Sequence, residues 1–345
     1  MSGRRVVAMG DPQAPFARVM EVLKARSLLA GDKLADDVHL VVMGDYYDYG
    51  GADAGARAES AEGSARLIAW LVSHAEEQVT LIAGNHDLAR VGELAHMDDA
   101  TFGRAQAEAD KGYYAKTPAR PEQAFKDEFD LPGWEVASRD FSAFRERQRA
   151  LVTDLLSARR MRAAFAPSAH VLMVHAGVTT AQLALAGAGP AKDARVLANA
   201  LNRSLYAAFD GWRTGKTKKL TLPGLHEPGS AAGEGTGFFY HRPALDPSKS
   251  PGRRFHPRDL PVGLTQVVGH IGDEKCRELL GLDPAGAKNG PLRHLVVKGD
   301  SVQYAHGLPA EPAPKTLDVA TMIFTDGGML RAEPADYELF SPRLA

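Results

Sequence analysis

Five short segments of this 345-residue chain carry side chains that bind divalent cations: Gly10-Asp11, Gly44-Asp45 through Asp48, Gly84-Asn85-His86-Asp87, His175-Ala176-Gly177 and Gly269-His270. Such ions take about four to six ligands each, mostly hard oxygens and imidazoles. Asp11, Asp45, Asn85, His175 and His270 supply those types. Two ions held ~3.5–4 Å apart need a shared carboxylate, and Asp45, central in the order, is the candidate bridge. His86 follows a ligand, and the spare carboxylate of Asp48 can orient it, which makes the pair a general acid with its partner. Pro12 restricts Asp11 to an extended backbone and so helps to aim its carboxylate. Singly these segments are weak, since a Gly-Asp after a strand is usually a turn. Together, in order, they point to a divalent-metal site.

The elements that must deliver them are legible as apolar runs. Val6 to Met9, Val38 to Met43, Val79 to Ala83, Val171 to Val174 and Val267-Val268 each run directly into one of the polar segments. Valine-rich runs of this length read as buried strands. Between the early ones lie helical patterns: Phe16, Val19, Met20 and Leu23 share one face, as do Leu67, Ile68 and Leu71 within about 59–76. Strand–helix alternation predicts a layered α/β protein whose carboxyl-end loops converge on one rim. Later runs at His294 to Lys298 and Val319 to Phe324 return to strand. Two regions break the pattern and are read as insertions that cap the site. Residues 98–165 read as helices with a proline-containing break near 118–133. Residues 185–260 start helical, from Ala194 to Phe209, and become loop-like across a Gly-, Pro- and Ser-dense stretch at 223–257. The expectation is a single domain over 1–345.

Composition narrows the class. A formal net charge of -2 gives no global basic field, so no stable nucleic-acid partner is expected. Cys276 is the sole cysteine, which excludes an internal disulfide and a cysteine-based zinc site. No apolar stretch approaches the ~18 residues of a membrane span, and the N-terminal run is too short for a signal peptide. These features carry the expectation of a cytoplasmic protein with no membrane partner; they leave the oligomeric state open.

The five segments resemble the motif series of the calcineurin-like metallophosphoesterase superfamily, over residues from about 5 to 330 with the two insertions unmatched. The phosphoprotein-phosphatase-like bacterial branch is the most similar. Its fourth motif reads His-Ala-Gly, as here, and Gly269-His270-Ile271-Gly272 lacks the second histidine of many nuclease-like members. Thr325-Asp326-Gly327-Gly328 resembles that branch's closing strand end. The resemblance implies a four-layer α-β-β-α sandwich with a dinuclear site at the carboxyl ends of the strands. It implies that Asp11 and Asp45 hold one metal, and that Asp45, Asn85, His175 and His270 hold the other. It assigns His86 as general acid and Asp48 as its orienter. Two divalent ions are implied, Mn²⁺ ahead of Fe, Mg²⁺ or Zn²⁺.

Two positions depart from the family pattern. Gln13 stands where that series has histidine, and its amide oxygen is expected on the first metal, directly or through water. Tyr49 stands where the phosphatase branch has a phosphate-binding arginine. Tyr46, Tyr47 and Tyr49 are expected to split between core and rim by alternation. Tyr49, Arg242 and Arg90 are the expected substrate contacts, Arg242 because Tyr240-His241-Arg242 resembles the branch's Trp-Tyr-Arg segment. Arginine's planar fork suits phosphate oxygens. The implied reaction is direct hydrolysis, a metal-bridging hydroxide attacking a phosphomonoester of a small metabolite or phosphoprotein. Alternatives are a nucleotide pyrophosphatase or phosphodiesterase of diadenosine-polyphosphate type, and a member that binds a phosphorylated ligand with little turnover.

Overall fold

A computed structural model describes residues 3–50, 53–116, 118, 120–189, 191–309 and 318–342. Two sheets carry the polar segments. The first has the order β1 (Arg5–Met9), β2 (Val38–Val42), β3 (Val79–Ile82) and β4 (Met161–Arg162), all parallel. The second comprises β5 (Ala164–Phe165), β6 (Val171–Val174), β7 (Thr265–Val268), β8 (Arg293–Lys298), β9 (Ser301–His306) and β10 (Val319–Phe324). Its spatial order is β9-β8-β10-β7-β6-β5. Strands β6, β7 and β10 run parallel, while β5, β8 and β9 are antiparallel to their neighbours.

Alternation along each strand explains how the layers pack. Val6, Ala8, Val41, Met43 and Ile82 of the first sheet share a buried cluster with Val171, Met173, Val267 and Ile323 of the second. The opposite faces are covered by helices. Val7, Met9, Leu40, Val42 and Leu81 cluster with Val19, Val22 and Leu23 of α1 (Phe16–Ala25) and Leu67, Ile68 and Leu71 of α2 (Ala54–Val72). The predicted faces of both helices are therefore the buried ones, although α2 starts earlier than the apolar pattern suggests. Asp53 caps it by accepting from Ala56 N at 2.8 Å.

A short helix α3 (Asn85–Ala89) starts directly at the third polar segment. Beyond it, α4 (Asp99–Tyr113), α5 (Glu122–Phe129), a π-helical turn at Val136–Asp140 and α6 (Glu146–Ser157) form the first insertion. It has its own core of Phe102, Phe125, Phe129, Phe141 and Phe144, rooted on Ala89 of α3. The helical reading of 98–165 fails at its end. Met161, Ala163 and Ala164 are fully buried and supply a strand to each sheet. Next come α7 (Thr180–Leu185) and α8 (Ala194–Arg213), the latter capped by Asp193 and packed through Leu197, Leu201 and Leu205. The stretch after α8 is irregular, with two short strand pairs, His226–Glu227 with Thr236–Gly237 and Arg242–Pro243 with Arg254–Phe255. Helix α9 (Asp273–Leu279) and strand β9 were not legible in the sequence. No described helix is long and apolar enough to cross a membrane.

Candidate active site

The parallel strands β1, β2, β3, β6 and β7 each end within three residues of Asp11, Asp45, Asn85, His175 or His270. Their carboxyl ends lie together, and the side chains meet. His175 Nδ1 donates to Met43 O at 2.7 Å, which leaves Nε2 as the ligand nitrogen. Around that atom stand Asn85 Oδ1 at 3.1 Å, His270 Nδ1 at 3.2 Å and Asp45 Oδ2 at 3.4 Å. Ligand atoms of Asp45, His175 and His270 lie within 4.8 Å of one another. Asp11 sits beside them, its Oδ2 accepting from His270 N at 2.8 Å. Its Oδ1 is buried with no hydrogen-bond partner among the described residues, and so is His270 Nε2. Buried orphan atoms of this kind call for a missing partner. Carboxylate, amide oxygen and imidazole together form a donor set that a divalent cation fits.

The electrostatics point the same way. Burial, with Asp326 and Asp45 nearby, drives the Asp11 carboxyl well above its ordinary pKa. For Asp45 burial acts upward too, but His175 and His86 outweigh it and hold the carboxyl at about 2. Burial disfavours a proton on His175, yet Asp45 overcomes it and raises the histidine. A cation would neutralise the like charges that Asp11 and Asp45 otherwise press together.

Tight backbone makes this convergence possible. Asp45, Asp48 and His270 hold left-handed conformations, φ 56°, 67° and 66°. Such strain persists where surrounding contacts over-determine it and clusters at functional sites. A Cβ on Gly84 would strike the Asp45 carboxylate, and one on Gly269 would strike that of Asp11. Asp87, whose role the sequence did not reveal, ties the second and third segments. Its carboxylate accepts from Gly84 N at 2.8 Å, Asp45 N at 2.9 Å and Tyr46 N at 3.0 Å.

His86 lies at the edge of the cluster. Its Nδ1 is 3.0 Å from Asp48 Oδ2, and its Nε2 is 3.8 Å from Asp45 Oδ2. Phe141 of the first insertion meets the imidazole edge-on at 5.2 Å. Burial lowers the histidine's pKa, but Asp45 and Asp48 more than reverse this and raise it to about 9. Asp48 is itself clamped. Burial would raise it, while Arg90 and His86 hold it low.

Arg90 and Tyr49, both expected at the substrate, are engaged by protein groups, although Tyr49 also lines the larger cleft. Arg90 is fully buried and grips Asp48 bidentately, at 2.7 and 3.0 Å. It also donates to His86 O at 2.7 Å and Gln148 Oε1 at 3.1 Å, so no edge reaches a ligand. Tyr49 turns its hydroxyl onto Glu59 O at 3.2 Å. The split of the three tyrosines also fails: Tyr46 and Tyr47 have no exposed surface and Tyr49 only 6%. The left-handed turns at Asp45 and Asp48 break the pleat on which that alternation depends. Gln13 spends its amide nitrogen on Tyr47 O at 3.1 Å, leaving its oxygen as the end free for a cation.

A cavity of about 150 Å³ opens on the cluster, lined by Gln13, Asp45, Asn85, His86 and His270. The first insertion contributes Arg139, Asp140 and Phe141 to its wall; the second contributes Glu234, Tyr240, Arg242 and Arg253. Residues of both segments thus line the cavity. A larger cleft of about 800 Å³ meets the small cavity at Gln13 and is lined by Asp11, Lys275, Lys288 and Arg331 among others. Glu93 and Arg253 are cavity residues that lay in no recognisable motif.

No curated protein matches the chain. A solved cold-active protein-tyrosine phosphatase of a psychrophile Shewanella species is similar at 15% identity and TM-score 0.40, over 97% of this chain and 74% of that one. A further structure of cold-active protein tyrosine phosphatase is similar at 17% identity and TM-score 0.33, over 79% of this chain and 65% of that one. Both are distant likenesses. The family description "calcineurin-like phosphoesterase" matches residues 4–188, a span that contains Asp11, Asp45, Asn85, His86 and His175. More than half of the chain falls within that match, and the chain accordingly belongs to the calcineurin-like phosphoesterases and is a phosphoric ester hydrolase.

Proposed function

We propose that the protein is a two-metal phosphomonoesterase, within a four-layer α-β-β-α sandwich, acting on a small phosphorylated metabolite or a phosphorylated side chain. The observation that carries this reading is the meeting of Asp45, Asn85, His86, His270 and Arg242 in one cavity of about 150 Å³. In this reading Asp11, Gln13 and Asp45 would hold one divalent ion, and Asp45, Asn85, His175 and His270 the other, with Mn²⁺ preferred. When bound, such ions supply Lewis acidity toward phosphoryl oxygens and lower the pKa of water.

The chain's own groups do the rest. Asp48, on Nδ1, fixes the His86 ring so that Nε2 faces the cluster and gives a proton to the leaving oxygen. Arg90 acts as a positioning residue through Asp48. Arg242 forms no ion pair within 4 Å among the described residues; burial pushes its guanidinium pKa below the usual value, with Asp140 and Asp45 only partly opposing this. It is free to take non-bridging oxygens. The test is hydrolysis of an aryl phosphate with and without added Mn²⁺. His86→Ala and Asp45→Asn should each lower turnover about 10²-fold or more, the scale of one general acid or charge-stabilising group. Full activity in either variant would remove that residue from the reaction.

A second reading, a nucleotide pyrophosphatase or phosphodiesterase, is favoured by the larger cleft with Lys275, Lys288 and Arg331. A dinucleotide polyphosphate and a bis-aryl phosphate separate the two. Faster turnover of either than of the monoester would make the larger cleft the substrate's seat.

A further inference from the structure

Three arginines face the small cavity, and they are not equivalent. Arg139 is half exposed and already engaged by Glu135 and Asp140. Arg242 has no ion-pair partner among the described residues. Arg253 is mostly buried, its side chain 23% exposed, and pairs with Glu234 through Nη1. Its Nε is buried and has no hydrogen-bond partner among the described residues. An orphaned guanidinium N–H is costly, and this one belongs to a residue in the wall of a site that must hold a phosphoryl dianion.

The surroundings fix Arg253 at that wall. Arg242 N donates to Arg253 O at 2.9 Å, so the two arginines sit on hydrogen-bonded neighbouring segments. The Arg253 guanidinium lies over the Tyr240 ring, 5.9 Å from its centroid. Tyr240 is locked in turn, its hydroxyl donating to the buried Glu93 Oε1 at 2.6 Å. Both Arg242 and Arg253 line the small cavity together with His270. Two cations of this kind near one imidazole make a pocket for an anion with several oxygens, and guanidinium forks match phosphate geometry.

We propose that Arg253 is a second phosphoryl-binding residue of this site, acting with Arg242, and that Glu234 holds its guanidinium ready until the substrate's oxygens engage the free edge. This rests on the phosphoesterase reading above. It adds a recognition residue drawn wholly from the second insertion.

The test uses the full-length, Mn²⁺-loaded protein with inorganic phosphate as probe, its binding followed by calorimetry, alongside KM and kcat for an aryl phosphate. Arg253→Gln should weaken phosphate binding and raise KM about tenfold or more, the scale of a charge-assisted contact, with metal content and thermal midpoint unchanged. Arg253→Lys, which keeps charge but loses the fork, should fall between. Glu234→Gln should bind phosphate as tightly as wild type or more so. Wild-type phosphate affinity in Arg253→Gln, or in Arg253→Gln and Glu234→Gln a shared loss of thermal midpoint with unaltered affinity, would reduce the pair to a structural ion pair and overturn the inference. If the wild type itself binds no phosphate, the phosphoesterase reading falls with it; if it binds while Arg253→Gln is unaltered, the inference alone falls.

Discussion

His86 owes its position to a chain of buried contacts that starts well away from the cavity. Gln148 bonds to Arg90, Arg90 clamps Asp48, and Asp48 holds the imidazole. Arg90 and Asp48 have no exposed side-chain surface. A buried pair costs much to assemble, and removing one member leaves an uncompensated charge worth about 3–5 kcal/mol. Arg90→Met is therefore expected to lower unfolding stability by about that amount in urea titration. It should also reduce kcat more than KM, because the acid loses its orientation rather than the substrate its grip. An unchanged kcat with lowered stability would leave Arg90 structural only. The motif residues Asp11, Asp45, Asn85, His86, His175 and His270 were legible because their chemical types recur at strand ends. The engagement of Arg90 and Tyr49 by protein groups was not legible, because exposure cannot be inferred from a residue's nearness to a motif. Arg253 was invisible, since nothing in Pro251 to Phe255 marks a site until the chain folds it against Tyr240.

At the scale of elements, the strands that are continuous valine-rich apolar runs were readable, and α1 fell on its predicted face. Short strands were not. Met161–Arg162 and Ala164–Phe165 are too brief for a pattern, and their assignment is made by the sheets they join. Ser301–His306 pairs along one edge and alternates only between exposed and half-buried positions, so its apolar signal is faint. Loop geometry was foreseeable only in part: glycines before the ligands announced close approach, but left-handed Asp45, Asp48 and His270 did not. Gly84 shows how strict that approach is, since any Cβ there meets the Asp45 carboxylate. Gly84→Ala should thus lose bound Mn²⁺, measured by elemental analysis after gel filtration, as severely as Asp45→Asn. Retention of two ions per chain would mean that the loop relaxes around the added methyl.

For the whole molecule, acid stability depends on histidines outside the metal cluster. Burial holds His226 and His241 at about 4, with only backbone acceptors opposing it. Both are nearly inaccessible, at 1% and 5% exposure. In the unfolded chain each takes up a proton near pH 6.5; in the folded chain each does so only near pH 4. The unfolded state therefore binds more protons between those values, and stability falls as pH drops from about 6.5 toward 4 before levelling off. Urea midpoints across that range should decline in wild type and decline less steeply in His226→Gln. An equal slope in the variant would place the acid sensitivity elsewhere.

Ala143 N donates to Asp48 Oδ1 at 3.0 Å, and Gln148, which bonds to Arg90, lies in the first turn of α6. The first insertion is thereby wired into the support of His86, the proposed proton donor, as well as into the cavity wall. Lineages within such a scaffold diversify by trading loops, but this one cannot be traded alone. A chimera carrying a relative's insertion would have to bring a matching donor to Asp48 and an acceptor to Arg90, or forfeit the acid along with the old specificity. Selection on substrate range is then coupled to selection on rate, and new activities should arise by substitution inside the insertion more readily than by its replacement.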